Sequence, residues 1–324
     1  MSMNYTAYSI SGVFFADTAE YTPVYHKDVI YAHRSTGDLK LQIFTPVRSN
    51  AKREPVRKLA QAPDPKAEMQ FRPQPETRRF PLVVDIPGSG WSGTTGYEHI
   101  AQMVTLAKAG FVTASVEYRG TFRDDVVFPA AVQDALEALR FMRANADTYL
   151  VDADHCAFLG DSSGGHTALT ASLANGREKF IIGDNTDQRM DVNCCVAYYG
   201  PNDITNLVSD RKAEGKQLRP GEGEFPFEAR EIWQESFRED PAAYLADASV
   251  VNYIEPGMKL PKFMFLNGDD DPIIPLAQGI RFCQKIRECG GKADFYKIIG
   301  GGHGVGCWTD EILAEIVKFL KASI

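Results

Sequence analysis

From about residue 80 onward, short apolar runs alternate with longer stretches whose apolar residues recur at helical spacing. The runs at 82–86, 111–118, 157–159, 192–199, 262–266 and 293–299 read as strands. The stretches at 100–109, 130–144, 166–173, 276–289 and 310–321 read as helices. In the second of these, Val132, Leu136, Leu139, Phe141 and Met142 supply the apolar positions. Runs that are apolar throughout, each followed by a helix, specify a mostly parallel sheet covered on both faces. Val24–Tyr31 and Leu39–Phe44 have no helix between them, so they predict an antiparallel edge. The expected fold is therefore α/β, with residues 1–324 forming a single domain.

Two segments interrupt this alternation. Residues 47–79 carry Pro55, Pro63, Pro65, Pro73 and Pro75 among basic residues such as Arg53, Lys58, Arg72 and Arg79. Such a composition buries little and predicts a solvated, flexible insertion. Residues 200–257 follow a strand and hold Phe225, Phe227, Trp233, Phe237 and Tyr244. That aromatic load in an irregular-to-helical stretch predicts a lid or cap over a site.

The composition is that of an ordinary globular protein, 44% hydrophobic and 24% charged over 324 residues. A single domain of this length buries roughly 75% of its unfolded surface and needs no disulfide or metal staple. The net charge of −8 argues against a nucleic-acid or anionic-membrane partner. Residues 1–10 lack a basic start and a long apolar core, so no secretory signal is expected. No apolar run approaches the roughly 20 residues of a membrane span. The six cysteines show no Cys-x-x-Cys spacing, and Cys156, Cys194 and Cys195 lie in apolar runs. They predict a reducing, cytoplasmic setting. No His/Asp cluster shows ligand spacing, so neither a metal nor a cofactor is expected. Whether the chain forms homo-oligomers is not legible.

The chemistry centres on Gly160-Asp161-Ser162-Ser163-Gly164-Gly165, placed between a strand-like run and a helix-like one. A strand turning sharply into a helix through Gly-x-Ser-x-Gly is a nucleophile elbow, which lifts the Ser162 hydroxyl above the sheet. The N–H of Ser163, at the positive end of the helix, can face a developing oxyanion. A serine hydroxyl needs a base acting near pH 7, which points to histidine. His303 is the candidate, in the loop Gly300-Gly301-Gly302-His303-Gly304 after a strand. His166 reads as a structural helix residue; His99 follows the Gly-rich loop near residue 90 and reads as packing or solvation rather than a border of the pocket. His26, His33 and His155 have no supporting context. The base needs a carboxylate, and Asp269-Asp270-Asp271 follow the strand at 262–266; spacing leaves open which of the three serves. The order Ser, Asp, His is that of the α/β-hydrolases. A second oxyanion donor is expected from Pro87-Gly88-Ser89-Gly90-Trp91, the loop after the strand at 82–86.

These residues resemble the α/β-hydrolase serine esterases, specifically the hormone-sensitive-lipase-like and feruloyl/acetyl-xylan esterase group. The resemblance spans roughly residues 80–320. It rests on Ile86-Pro87-Gly88-Ser89-Gly90-Trp91, Val116-Glu117-Tyr118-Arg119, the elbow through His166, Asn267-Gly268-Asp269-Asp270-Asp271-Pro272-Ile273-Ile274-Pro275, and Gly302-His303-Gly304. It implies that Asp271, three residues after Gly268, is the acid. It also implies that the Ser89 and Gly90 N–H groups serve the oxyanion hole alongside Ser163, and that Trp91 walls the pocket. The group's oxyanion loop usually reads His-Gly-Gly-Gly-Trp; here Pro87 and Ser89 replace the His and the middle Gly.

The expected function is a serine carboxylesterase cleaving short-acyl esters, with a small-molecule or carbohydrate ester as substrate, as the resemblance implies. The same site is compatible with amide or peptide hydrolysis, as in formamidase or prolyl-oligopeptidase-like relatives. A non-catalytic ligand-binding homologue is a third reading, and retention of all three triad residues argues against it.

Overall fold

Side chains on the central strands alternate between two buried cores, which is why these segments are apolar on both faces. Leu82, Val84, Cys195, Ala197, Phe263 and Phe265 belong to one core. Their neighbours Val83, Cys194, Val196, Met264 and Leu266 belong to the other. Successive strand residues point to opposite sides, so a strand covered by helices on both faces must be apolar at every position.

The computed structural model describes residues 21–48, 78–174, 176–220 and 222–324. The strands are β1 (Tyr21–Arg34), β2 (Gly37–Arg48), β3 (Phe80–Ile86), β4 (Val112–Val116), β5 (Val151–Asp161), β6 (Cys194–Tyr198), β7 (Lys262–Gly268) and β8 (Lys292–Ile298). The first helices are α1 (Ile100–Lys108), α2 (Ala130–Ala144), α3 (Ala146–Tyr149) and α4 (Ser162–Leu173). They are followed by α5 (Leu207–Ala213), α6 (Phe227–Trp233), α7 (Pro241–Ala248), α8 (Leu276–Glu288) and α9 (Asp310–Lys321). Most of the insertion expected at 47–79, residues 49–77, lies outside the described residues.

The eight strands of the described residues form one sheet in the order β1-β2-β4-β3-β5-β6-β7-β8. β1 pairs antiparallel with β2, and β2 antiparallel with β4. The remaining pairs are parallel. This is the expected α/β-hydrolase sheet with its antiparallel edge. The helices at 130–144 and 310–321 have the bounds the spacing predicts. In α9, Thr309 caps the first turn by accepting from the Ile312 N–H. Asp310 and Glu311 follow at the positive end of that helix, and Lys318 and Lys321 sit at the other.

Two elements differ from expectation. The elbow strand begins at Val151 rather than 157, through the polar stretch Asp152–His155 at its amino end. The following helix starts at Ser162 itself, four residues before the apolar spacing becomes visible, because its first turn is Ser-Ser-Gly-Gly. Among the described residues, no helix is long and apolar enough to cross a membrane.

The parallel strands end in register. Ile86 faces Gly160, Asp161 faces Tyr198, and Tyr198 faces Leu266. Gly268 in turn faces Ile298. The loops leaving β3, β5, β6, β7 and β8 therefore emerge side by side at the carboxyl edge of the sheet, where open α/β folds place their sites.

Candidate active site

Ser162 is the first residue of α4 and has φ +51°, a left-handed conformation that non-glycine residues rarely adopt. The turn is tight enough to exclude side chains on either side. A Cβ on Gly160 would lie 2.4 Å from the Gly164 carbonyl oxygen, and one on Gly164 would lie 1.9 Å from the Ile86 oxygen. Both contacts are with backbone, which cannot move aside. The Gly-x-Ser-x-Gly spacing is thus a packing requirement between β3, β5 and α4.

The Ser162 Oγ lies 2.8 Å from His303 Nε2, and His303 Nδ1 lies 2.9 Å from Asp271 Oδ2. Asp271 is fully buried. Its other oxygen accepts the N–H groups of Ile273 (2.7 Å) and Ile274 (2.9 Å). A carboxylate so placed can only accept, so Nδ1 carries the imidazole proton and Nε2 is left to accept from the Ser162 hydroxyl. The tautomer is set by the far end of the relay. Of the other two acids, Asp269 accepts the Gly300 N–H at 2.7 Å and braces the histidine loop, and Asp270 is exposed.

The loop after β3 lies against the elbow. The Gly88 N–H donates to Asp161 Oδ1 at 2.5 Å, and the Ser89 N–H donates to Ser163 Oγ at 2.8 Å. The Ser89 hydroxyl meets the Tyr118 hydroxyl at 2.9 Å, and Tyr118 donates to the Pro87 carbonyl at 2.7 Å. Ser89 is therefore consumed at both its N–H and its hydroxyl. Of the three expected donors, the N–H groups of Gly90 and Ser163 are the two without a protein acceptor among the described residues. The Ser163 N–H belongs to the first turn of α4, where helix geometry provides no partner. Trp91 lines the cleft and also packs edge-on against His166, whose Nδ1 accepts its indole N–H at 3.3 Å. His166 Nε2 donates to the Ala248 carbonyl. Burial lowers its pKa to about 4, which makes it a neutral structural link between α4, Trp91 and the end of α7 at Ala248.

His99, read from the sequence as packing or solvation, is buried against Trp308 and also carries an ion-pair role that the sequence did not announce. Its Nδ1 lies 3.0 Å from Asp85 and its Nε2 3.4 Å from Asp161, the residue preceding Ser162. Burial opposes the charged form, but the charge and hydrogen bond of Asp85, then Asp161 and Glu98, outweigh it and raise the pKa to about 9. His99 thus bridges the buried Asp85 and the partly buried Asp161 beside the elbow. The available signal was Asp85, an acid inside the otherwise apolar run Leu82-Val83-Val84-Asp85-Ile86. Tyr199 was also missed. Its ring lies 4.6 Å from that of His303, and its hydroxyl donates to Asp161 at 3.3 Å.

These groups border a cleft of about 330 Å³, lined among others by Ser89, Trp91, Ser162, Tyr199, Glu231 and His303. Part of its wall comes from the segment 200–257, through Pro201, Arg219, Glu228 and Glu231. Among the described residues, no group of three or more His, Cys, Asp or Glu could hold a metal ion.

Fold and comparisons together make the chain an α/β-hydrolase related to esterases. The family model BD-FAE matches residues 70–286, and the chain belongs to that family. Among curated proteins it is 27% identical to Esterase LipQ of Mycobacterium tuberculosis (strain ATCC 25618 / H37Rv), over 70% of this chain and 50% of LipQ. It is 28% identical to the Probable carboxylic ester hydrolase LipM of the same strain, over 65% of this chain and 46% of LipM. The chain thus spans about half the length of these two relatives. Among solved structures, the truncated form of a carbohydrate esterase from gut microbiota matches with a TM-score of 0.71 and 22% identity. That match covers 95% of this chain and 98% of the other, and it shows the shared fold.

Proposed function

We propose that the protein is a serine carboxylesterase acting on small esters, with Ser162, His303 and Asp271 as its catalytic triad. The observation that carries this reading is the unbroken hydrogen-bond chain from Ser162 Oγ through both ring nitrogens of His303 to Asp271. Ser162 Oγ attacks the ester carbonyl carbon while His303 Nε2 takes its proton, and Asp271 stabilises the resulting imidazolium. The N–H groups of Gly90 and Ser163 hold the oxyanion; Ser89 supports that loop. His303 returns the proton to the departing alkoxide. Water then attacks the acyl-enzyme with His303 as base, releasing the acid and restoring Ser162.

A cleft of about 330 Å³ is at the small end for ligand sites and supports a short acyl group such as acetyl. The printed names of LipQ, LipM and the carbohydrate esterase support an ester, with a carbohydrate or polyol ester in range. The segment 200–257 serves as the lid, and the whole chain as one domain. Six unpaired cysteines support a cytoplasmic setting. The test is turnover of p-nitrophenyl acetate and of the matched anilide by the parent and by Ser162→Ala. Ester turnover that vanishes in the variant is the expected result. Turnover persisting at the parent rate overturns the mechanism, faster anilide cleavage moves the protein to the amidases, and no turnover of either leaves a binding homologue.

A further inference from the structure

Residues 200–257 carry a cluster of charge to the edge of the cleft, and one member of it is held only by a long ion pair. Arg211 is fully buried between Glu222 and Glu228, with Nη2 at 2.6 Å from Glu228 Oε1. Arg219 reaches the same Glu228 oxygen at 3.3 Å and lies over the Phe227 ring. Glu222 and Glu228 are thus answered by cations. Glu231, one turn along α6 from Glu228, is answered more loosely. Its side chain is only 17% exposed, and among the described residues no donor comes closer to its carboxyl than Arg219 Nη1 at 3.6 Å. It lines the cleft and lies against the oxyanion loop, with Oε1 3.4 Å from where a Cβ on Gly90 would stand. A carboxyl held only by one long ion pair at the cleft wall keeps acceptor capacity for a group arriving in the cleft.

The chemistry of that arrival follows from the pair. Arg219 offers only donors, and a carboxylate offers only acceptors. An alkyl group would strip both of water and replace nothing. A cationic group meets the guanidinium, and an anionic one meets Glu228 and Glu231. A neutral hydroxyl satisfies both at once, donating to Glu231 and accepting from Arg219. Burial, then the charge of Glu228, raises the Glu231 pKa to about 7 against the opposing effect of Arg219 and Arg211. Near neutrality the carboxyl can therefore both donate and accept.

We propose that Glu231 and Arg219 form a subsite that reads a neutral hydroxyl carried by the ester, beside the oxyanion loop, so that hydroxylated esters are preferred over simple alkyl ones. This rests on the esterase reading above. Substrate carbonyl oxygen held by the Gly90 N–H lies next to Glu231, so a hydroxyl near the scissile bond is the one within reach.

The test compares kcat/KM for ethyl acetate, glycerol monoacetate and ethyl glycolate. The second carries hydroxyls on the alcohol side and the third carries one on the acyl side. The parent is expected to favour one hydroxylated ester over ethyl acetate by about tenfold or more, as a hydrogen bond to a charged group allows; which one it favours identifies the side. Glu231→Leu and Arg219→Met should bring that ratio close to one. Glu231→Gln, which keeps a donor and an acceptor, should retain it within about threefold. Thermal melting of each variant confirms that it is folded. A parent that turns over all three esters alike overturns the subsite and leaves the esterase reading intact. Leu and Gln variants that lose the ratio equally also overturn it. A parent that turns over none of them removes both.

Discussion

Replacing Asp271 by Asn tests how the relay controls the base. Asp271 Oδ1 accepts two backbone N–H groups, from Ile273 and Ile274, inside a fully buried site. Asn therefore has one good orientation, with its carbonyl oxygen on those two donors and its NH₂ facing His303. The flipped amide would oppose donors to donors and lose two buried hydrogen bonds, a cost of about 2–6 kcal/mol. Facing an NH₂, His303 Nδ1 must become the acceptor. The proton then sits on Nε2, 2.8 Å from the Ser162 oxygen it is meant to deprotonate. A triad in the wrong tautomer loses about 10⁴ in kcat, which is about 5.5 kcal/mol of barrier. The assay is p-nitrophenyl acetate hydrolysis at pH 7.5 with Asp270→Asn in parallel, since exposed Asp270 makes no contact with His303. Asp271→Asn turning over within about tenfold of the parent, while folded, would refute the tautomer argument.

Other consequences concern the scaffold beneath the site. His99 has its pKa raised from 6.5 to about 9, so its ion pairs contribute fully below about pH 6.5 and are lost as pH rises through about 9. The contribution is on the order of 3 kcal/mol. Urea midpoints of the parent should fall between pH 7 and 9.5, and this component should be absent in His99→Gln; equal slopes would contradict the assignment. Tyr118→Phe leaves the Pro87 carbonyl and the Ser89 hydroxyl without their partner. It should cost about 1–3 kcal/mol in denaturant unfolding and lower kcat by slackening the oxyanion loop. A variant with parent kcat would mean the loop is held by Asp161 and Ser163 alone.

The parts of this molecule set by local sterics were the legible ones. Gly160 and Gly164 around Ser162 announce a turn too tight for side chains at the two glycines, and runs apolar on both faces announce a buried parallel sheet. Asp271 was less accessible, because three consecutive acids leave β7 and what distinguishes them is which one collects the N–H groups of Ile273 and Ile274. Family resemblance supplied that choice; spacing did not. The engagement of Ser89 by Ser163 and Tyr118 was illegible, since it depends on how two loops dock within a few tenths of an ångström. Asp85 and His99 lie 14 residues apart and meet only once β3 and α1 are assembled. Glu231 sits on a seven-residue helix within an irregular segment, where no periodicity ties a side chain to the cleft.

The claim on which the rest depends is that Ser162 is the nucleophile. Incubating the protein with a fluorophosphonate and mapping the adduct by peptide mass spectrometry tests it directly. One equivalent of label on the peptide carrying Ser162, absent from Ser162→Ala and strongly slowed in His303→Ala, is the predicted result. A parent protein that hydrolyses esters yet carries no label, or carries it on another residue, would contradict it.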